Sequence, residues 1–413
     1  MKFELGFGTG CQQVDINDEN LQAVLTPNKV AHEYFGTDAV DQAIENPIGT
    51  PKLREIVRPG EKIAVITSDI TRPMPTHTVM PPLLRELYRG GIKKEDITLV
   101  FALGSHRNHT REEMRRLAGS AYEEIKCVDS DPCDCIRIGE TELGTPVDIT
   151  RSVAEADRRI CLGNIEYHYF AGYSGGAKAV MPGCSTPDAI QNNHSKMVRD
   201  DAHAGKLSGN PVREDIEEAA AMVGVDYILN VVLDEHKEII YAVAGDVIAA
   251  HRHGCRFLDD LYKTKIKKRA DIVIVSQGGA PKDLNLYQTQ KALDNSKHAV
   301  KDGGTIILVG SCREGFGNKI FEEWMTAADT PHSLIERVNN DFRLGGHKAA
   351  AIAMVLEHAD ISLVSDMPDK LVRSIFMQPC RSLQHAYDAA LLRHGEKASV
   401  IVMPYGGSTL PAE

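Results

Sequence analysis

The 413-residue sequence contains no run approaching the 18 or so consecutive apolar residues that a bilayer crossing needs, which argues against a membrane protein. Its first twenty residues, MKFELGFGTGCQQVDINDEN, carry one early lysine followed by acids and glycines. They lack the basic start, apolar middle and small-residue cleavage site of a signal peptide, so the expected location is the cytoplasm. Cysteine is sparse: nine residues, an odd number without framework spacing, point to a reducing compartment. Cys133 and Cys135 are the closest pair, but no second pair lies nearby, which favours loop thiols over a metal site. Positive charge is also short. The formal net charge is -11 and the longest basic stretch is Lys263 to Arg269, so nucleic acid and acidic membrane surfaces are poor partners. No fixed-period repeat and no low-complexity tract is present.

What is present is alternation. Runs rich in Val and Ile at Ile63 to Ile70, Ile97 to Gly104, Arg159 to Ile165, Tyr227 to Leu233, Asp271 to Ser276, Thr305 to Gly310 and Ile361 to Ser365 read as strands buried on both faces. Amphipathic stretches separate them. One of these, after Asn210-Pro211, has a cap, a proline at the first helical position and Gly224 as a stop. The class is therefore α/β, and the length favours two α/β domains. The charged segment Tyr262 to Asp271 is the best linker candidate. It divides an N-terminal domain, 1–266, from a C-terminal domain, 270–398, with the tail 399–413 a candidate to rejoin the first.

Ligands of open α/β sheets gather beyond the carboxyl ends of strands, and the informative residues fall there. The first candidate loop holds Asp69, Thr71 and Arg72 beside prolines; Arg72 can grip a substrate carboxylate through its planar guanidinium or pair with Asp69 on the surface. The next begins with Gly104 and carries His106, a candidate general base or a structural loop cap, with His109 nearby. The densest constellation runs E-Y-H-Y-F-A-G-Y-S-G-G-A-K. His168 sits among aromatics, and Lys178 follows Ser174, Gly175 and Gly176. Two glycines let backbone amides approach an anion, and a lysine among Ala177, Ala179, Val180 and Met181 loses hydration, which lowers its pKa and makes it a nucleophile or covalent anchor. The pattern is neither a Walker loop nor a Rossmann fingerprint. His194 falls on a helix capped by Thr186, where a single histidine supplies only one bond to a metal. Farther on, Tyr287 and Lys291 share a helix face with Gln288 adjoining.

Taken together, D-x-x-R-P at Asp69, G-S-H-R at His106, H-Y-F-A-G-Y-S-G-G-A-K from His168 to Lys178, His194, and Y-Q-x-x-K from Tyr287 resemble the lactate racemase family of nickel-pincer enzymes. The resemblance spans residues 69 to 291. It implies two α/β domains with the active site in the cleft between them. It also implies a cofactor, the nickel-pincer nucleotide: a pyridinium-3,5-bisthiocarboxylic acid mononucleotide carrying nickel, joined to lysine as a thioamide. By position, Lys178 is the anchor and His194 the nickel ligand, the other ligands being a carbon and two sulfurs of the cofactor. His106 and His168 become paired acid/base residues. Arg72, Gln288 and Lys291 lie near the substrate carboxylate with Tyr287 in the pocket, while Asp69, Ser174, Gly175 and Gly176 are supports or phosphate contacts. The implied reaction is inversion of a small 2-hydroxy acid through hydride transfer by way of a 2-keto acid, and the implied partners are the proteins that build the cofactor.

Other readings remain open at this stage. An epimerase of a sugar acid or a racemase of a dicarboxylic acid such as malate would use Lys282, Arg313 and the loop after Gly310 for extra contacts. A non-catalytic cofactor carrier or sensor would need the anchor but not two histidine bases. A zinc hydrolase is disfavoured by the absence of H-x-x-x-H or paired-cysteine ligands.

Overall fold

The structure, a computed structural model, describes residues 1–30, 33–234 and 236–413. The chain forms two compact units, one made of residues 30–259 and the other of residues 1–29 together with 260–413. Both are α/β. No helix among the described residues is long and apolar enough to cross a membrane.

The 30–259 unit is built on a six-stranded sheet. From one edge the strands run Lys126–Asp129, Ile97–Ala102, Ile63–Ser68, Arg158–Asn164, Tyr227–Leu233 and Ile239–Gly245. All are parallel except the last, which returns antiparallel along Tyr227–Leu233. The central strands are buried on both faces, which explains their unbroken apolar sequences. The helix Thr76–Arg89 lays Val79, Met80, Leu83, Leu84 and Leu87 against one core, each side chain contributing roughly 1.5–3 kcal/mol of burial. In chain order the strands lie 3-2-1-4-5-6, so the direction of winding reverses between Ile63–Ser68 and Arg158–Asn164. At such a reversal, open α/β sheets take ligands beyond the carboxyl ends of the strands.

The other unit holds a six-stranded, wholly parallel sheet, ordered Gln378–Cys380, Ala359–Val364, Val300–Val309, Ala270–Ser276, Val400–Met403 and Leu21–Val24. A hairpin of Lys2–Phe7 and Gly10–Asp15 sends Leu5, Val14 and Ile16 into its core.

The seven strands expected from apolar runs are all present, with ends moved by a few residues at most except at Val300–Val309, which starts earlier. The division of the chain differs from the expectation. Residues 1–29 belong with the C-terminal unit, and the segment 262–271 is no linker, because Lys263–Lys265 pairs with Leu410–Ala412 inside that unit. The tail therefore does not rejoin the N-terminal sheet; Val400–Met403 fills the slot between Ala270–Ser276 and Leu21–Val24. Pairing between strands hundreds of residues apart leaves no local mark in sequence. Cys133 is an exposed loop thiol, whereas Cys135 begins a strand and is half-buried.

Candidate active site

Three loops leave the carboxyl ends of the adjacent strands Arg158–Asn164, Ile63–Ser68 and Ile97–Ala102. The loop after Ile63–Ser68 buries the Asp69 carboxylate, which takes a hydrogen bond from the Thr71 hydroxyl at 2.9 Å and faces His106 Nδ1 at 2.7 Å. Burial alone would raise the Asp69 pKa; the hydrogen bond and charge of His106, with Thr71 and Arg72, outweigh it and hold the carboxyl below its usual value. With Nδ1–H donated to Asp69, a neutral His106 carries its lone pair on Nε2. Arg72 stands exposed, and its charge bears on both His168 and Lys178.

His109, the neighbour that blurred the choice of base, separates cleanly from His106. Its side chain is buried, its Nδ1 lies 2.6 Å from Asp129, and its Nε2 accepts the Ile70 backbone N–H at 3.0 Å. A ring nitrogen accepting from an amide cannot carry a proton, so His109 is a neutral brace under the Asp69–Arg72 loop.

The loop after Arg158–Asn164 turns on Ser174, whose hydroxyl donates to the Asn164 carbonyl at 2.6 Å and accepts the Glu166 N–H at 2.9 Å. The Gly176 N–H goes to Asn230 Oδ1 at 2.7 Å, and a Cβ on Gly176, at φ 59°, would meet the His251 ring at 2.9 Å. Ser174 and Gly176 thus close and pack the loop, and neither group just named is left to cradle a phosphate. Arg213, fully buried, ties the same loop down by donating to the carbonyls of Ala171, at 3.1 Å, and Tyr173. Its Nη1 is a buried donor without a hydrogen-bond partner.

The ring of Phe170 gathers the rest. His168 meets it edge-on with centroids 4.5 Å apart, His194 does so at 4.9 Å, and the Lys178 amine lies 5.8 Å from its centre. Desolvation pulls the Lys178 pKa well down, and the charges of Arg213 and Arg72 add to it. His168 is likewise pulled well below the ordinary histidine value by burial first, then by Lys178, Arg72, His194 and Arg213. The Ala171 N–H donates to His168 Nδ1 at 3.3 Å, so the neutral ring carries its proton on Nε2.

Tyr287, Gln288 and Lys291 belong to the other unit, on the first turns of the helix Leu286–Ser296, capped by Asn285. Gln288 and Lys291 are exposed and Tyr287 is half-buried. Lys348, which the sequence reading passed over, lies 4.0 Å from the Tyr287 ring centre and donates to its carbonyl at 2.5 Å. Lys282 and Arg313 are exposed. Also missed were Phe170 as a hub, Arg213, Asn230 and Asn193. Only Phe170, inside the aromatic run, carried a sequence signal.

A profile for the lactate racemase N-terminal domain matches residues 7–205, and one for the C-terminal domain matches residues 265–410. The chain is 36% identical to a lactate racemase of Lactiplantibacillus plantarum over 408 residues, 95% of each chain. It belongs to the lactate racemase family. A second lactate racemase, from Thermoanaerobacterium thermosaccharolyticum, is 32% identical across 99% of both chains. The apoprotein structure of a lactate racemase from that organism superimposes with a TM-score of 0.90 over the whole of both chains, at 31% identity. A protein from Thermotoga maritima shares the fold at a TM-score of 0.61 and 19% identity. Family membership makes the chain an isomerase of the racemase type.

Proposed function

We propose that this racemase inverts the C2 centre of a small 2-hydroxy acid, lactate first among them, with a nickel-pincer nucleotide anchored on Lys178 and ligated by His194. The observation that carries the reading is the grouping of Lys178, His168 and His194 around Phe170. Its chemistry suits the cofactor. A lysine amine whose pKa burial pulls down gives up its proton more readily and is the better nucleophile for the covalent link. No group of three or more His, Cys, Asp or Glu suited to a metal occurs among the described residues, so a metal on His194 needs its other ligands from a bound group. The unpartnered Arg213 Nη1 in the same neighbourhood suits an anionic one.

When bound, the cofactor supplies reversible hydride acceptance at the substrate carbon. The chain supplies proton handling and grip. His106, through Nε2, takes the hydroxyl proton, and Asp69 holds the ring and faces the positive charge it acquires. His168 works on the opposite face of the substrate. Arg72 takes the substrate carboxylate through its planar guanidinium and holds it while the carbonyl turns. The reading places the protein in the cytoplasm beside the enzymes that build the cofactor.

The deciding experiment is peptide mass spectrometry, metal analysis and chiral chromatography on protein produced together with the cofactor-building enzymes. A nucleotide adduct on the Lys178 peptide, about one nickel per chain and conversion of either lactate enantiomer to the mixture are expected. Lys178→Ala should lose all three. An active preparation with unmodified Lys178 overturns the proposal.

A further inference from the structure

His194 is followed by a chain of buried hydrogen bonds that leads away from Phe170. Its Nδ1 lies 2.9 Å from Asn193 Oδ1. The Asn193 amide nitrogen donates to Asp215 Oδ2 at 2.7 Å and to the Val212 carbonyl at 3.2 Å. Asn193 and Asp215 are both buried. The Asp215 carboxylate in turn accepts from the Thr141 hydroxyl at 2.5 Å, and the Lys196 ammonium stands 3.6 Å away.

We infer that Asn193 and Asp215 are positioning residues that lock His194 into the tautomer whose lone pair lies on Nε2, the form a metal ion requires. The inference rests on the reading of His194 as a nickel ligand. The steps are those of donors and acceptors. An ionised carboxylate and a backbone carbonyl only accept, so the end of the Asn193 amide facing them must be its NH2. The end facing His194 is then the carbonyl oxygen, which also only accepts. Nδ1 must therefore carry the ring proton, and the neutral imidazole is left with its lone pair on Nε2. In metal sites, outer partners of this kind set the tautomer and raise the basicity of the ligand. Here the outer partner is an adjacent amide, itself oriented by a carboxylate one helix away.

The test begins with the apoprotein, so that it does not depend on cofactor loading. Long-range proton–nitrogen correlation spectra of protein carrying isotope-labelled histidine identify the tautomer, with the His194 signal assigned by its loss in His194→Gln. The wild-type ring should have its proton on Nδ1. In Asp215→Asn a neutral amide can donate to Asn193, letting it turn over, and the His194 proton should move at least in part to Nε2. In loaded protein the same variant should hold nickel about 10- to 100-fold more weakly under a competing chelator. Thr145→Val, which removes a different Asp215 partner, should leave tautomer and nickel retention unchanged. A wild-type His194 with its proton on Nε2 overturns the inference even if Asp215→Asn does not fold. So does an unchanged tautomer in a folded Asp215→Asn. Wild-type protein that shows the Nε2 lone pair but takes up no nickel after co-production would instead count against the functional reading, with the relay standing.

Discussion

His106 and His168 follow two strands that flank the same central strand of one sheet, and their rings meet different partners. His106 faces a buried carboxylate, Asp69, and its ring is pinned by donating Nδ1–H. His168 faces cations, Lys178 and Arg72 among them, and accepts at Nδ1 from the Ala171 backbone. In the neutral rings the first arrangement leaves a lone pair on Nε2 and the second leaves Nε2 protonated, while burial and the neighbouring cations hold the His168 pKa down. Two residues of one type, each a few residues beyond a strand of the same sheet, are thus given opposite tautomers by what packs beside them. The proposed reaction calls for complementary groups on the two faces of the substrate, because each enantiomer presents its hydroxyl differently.

The comparison breaks most visibly at the histidines themselves. His106→Gln and His168→Gln should each lower kcat by about 10²- to 10⁴-fold with nickel and adduct retained, measured from both enantiomers by chiral chromatography. A near wild-type rate in either would remove that residue from the reaction. Asp69→Asn should cost less. A charge-assisted hydrogen bond is worth about 1.5–3 kcal/mol, which corresponds to roughly 10- to 100-fold in kcat. If instead only KM rises, Asp69 serves the Arg72 loop and not the base.

Lys178→Met sharpens the electrostatic half of the comparison through stability. The folded protein holds this amine's pKa well below its unfolded value near 10.5, so the unfolded chain binds the extra proton and wild-type stability rises with pH across that interval. The apoprotein variant should therefore be more stable than wild type at pH 7, read as a higher Tm at that pH. The gain should vanish as pH passes about 10.5. A constant gain at all pH would mean that packing, and not charge, is responsible. The smallest effect is on His168, whose titration in the Lys178→Met apoprotein should move upward toward the ordinary histidine value, as followed by proton NMR.

Much of this site was legible in the chain. The seven apolar runs became the expected strands because doubly covered strands need continuous apolar sequence. The helix of His194 began at Thr186-Pro187 and that of Arg213 at Asn210-Pro211 because cap and proline chemistry is local. The Lys178 loop was readable for the same reason: its aromatics, glycines and lysine lie within eleven residues. His109 and His106, by contrast, could not be told apart, since what separates them is Asp129 on one side and Asp69 on the other.

By itself, then, the sequence determined the α/β class, the strand ends that carry reactive groups and the family, because each is written in short-range pattern and residue type. Only the tertiary structure decided that residues 1–29 join the C-terminal sheet, that the Gly176 amide serves Asn230, and that Asn193 stands between His194 and Asp215. Those outcomes depend on which distant strands pair and which buried donors find acceptors, and a hydrogen bond spanning tens of residues exists only once the chain has folded around it.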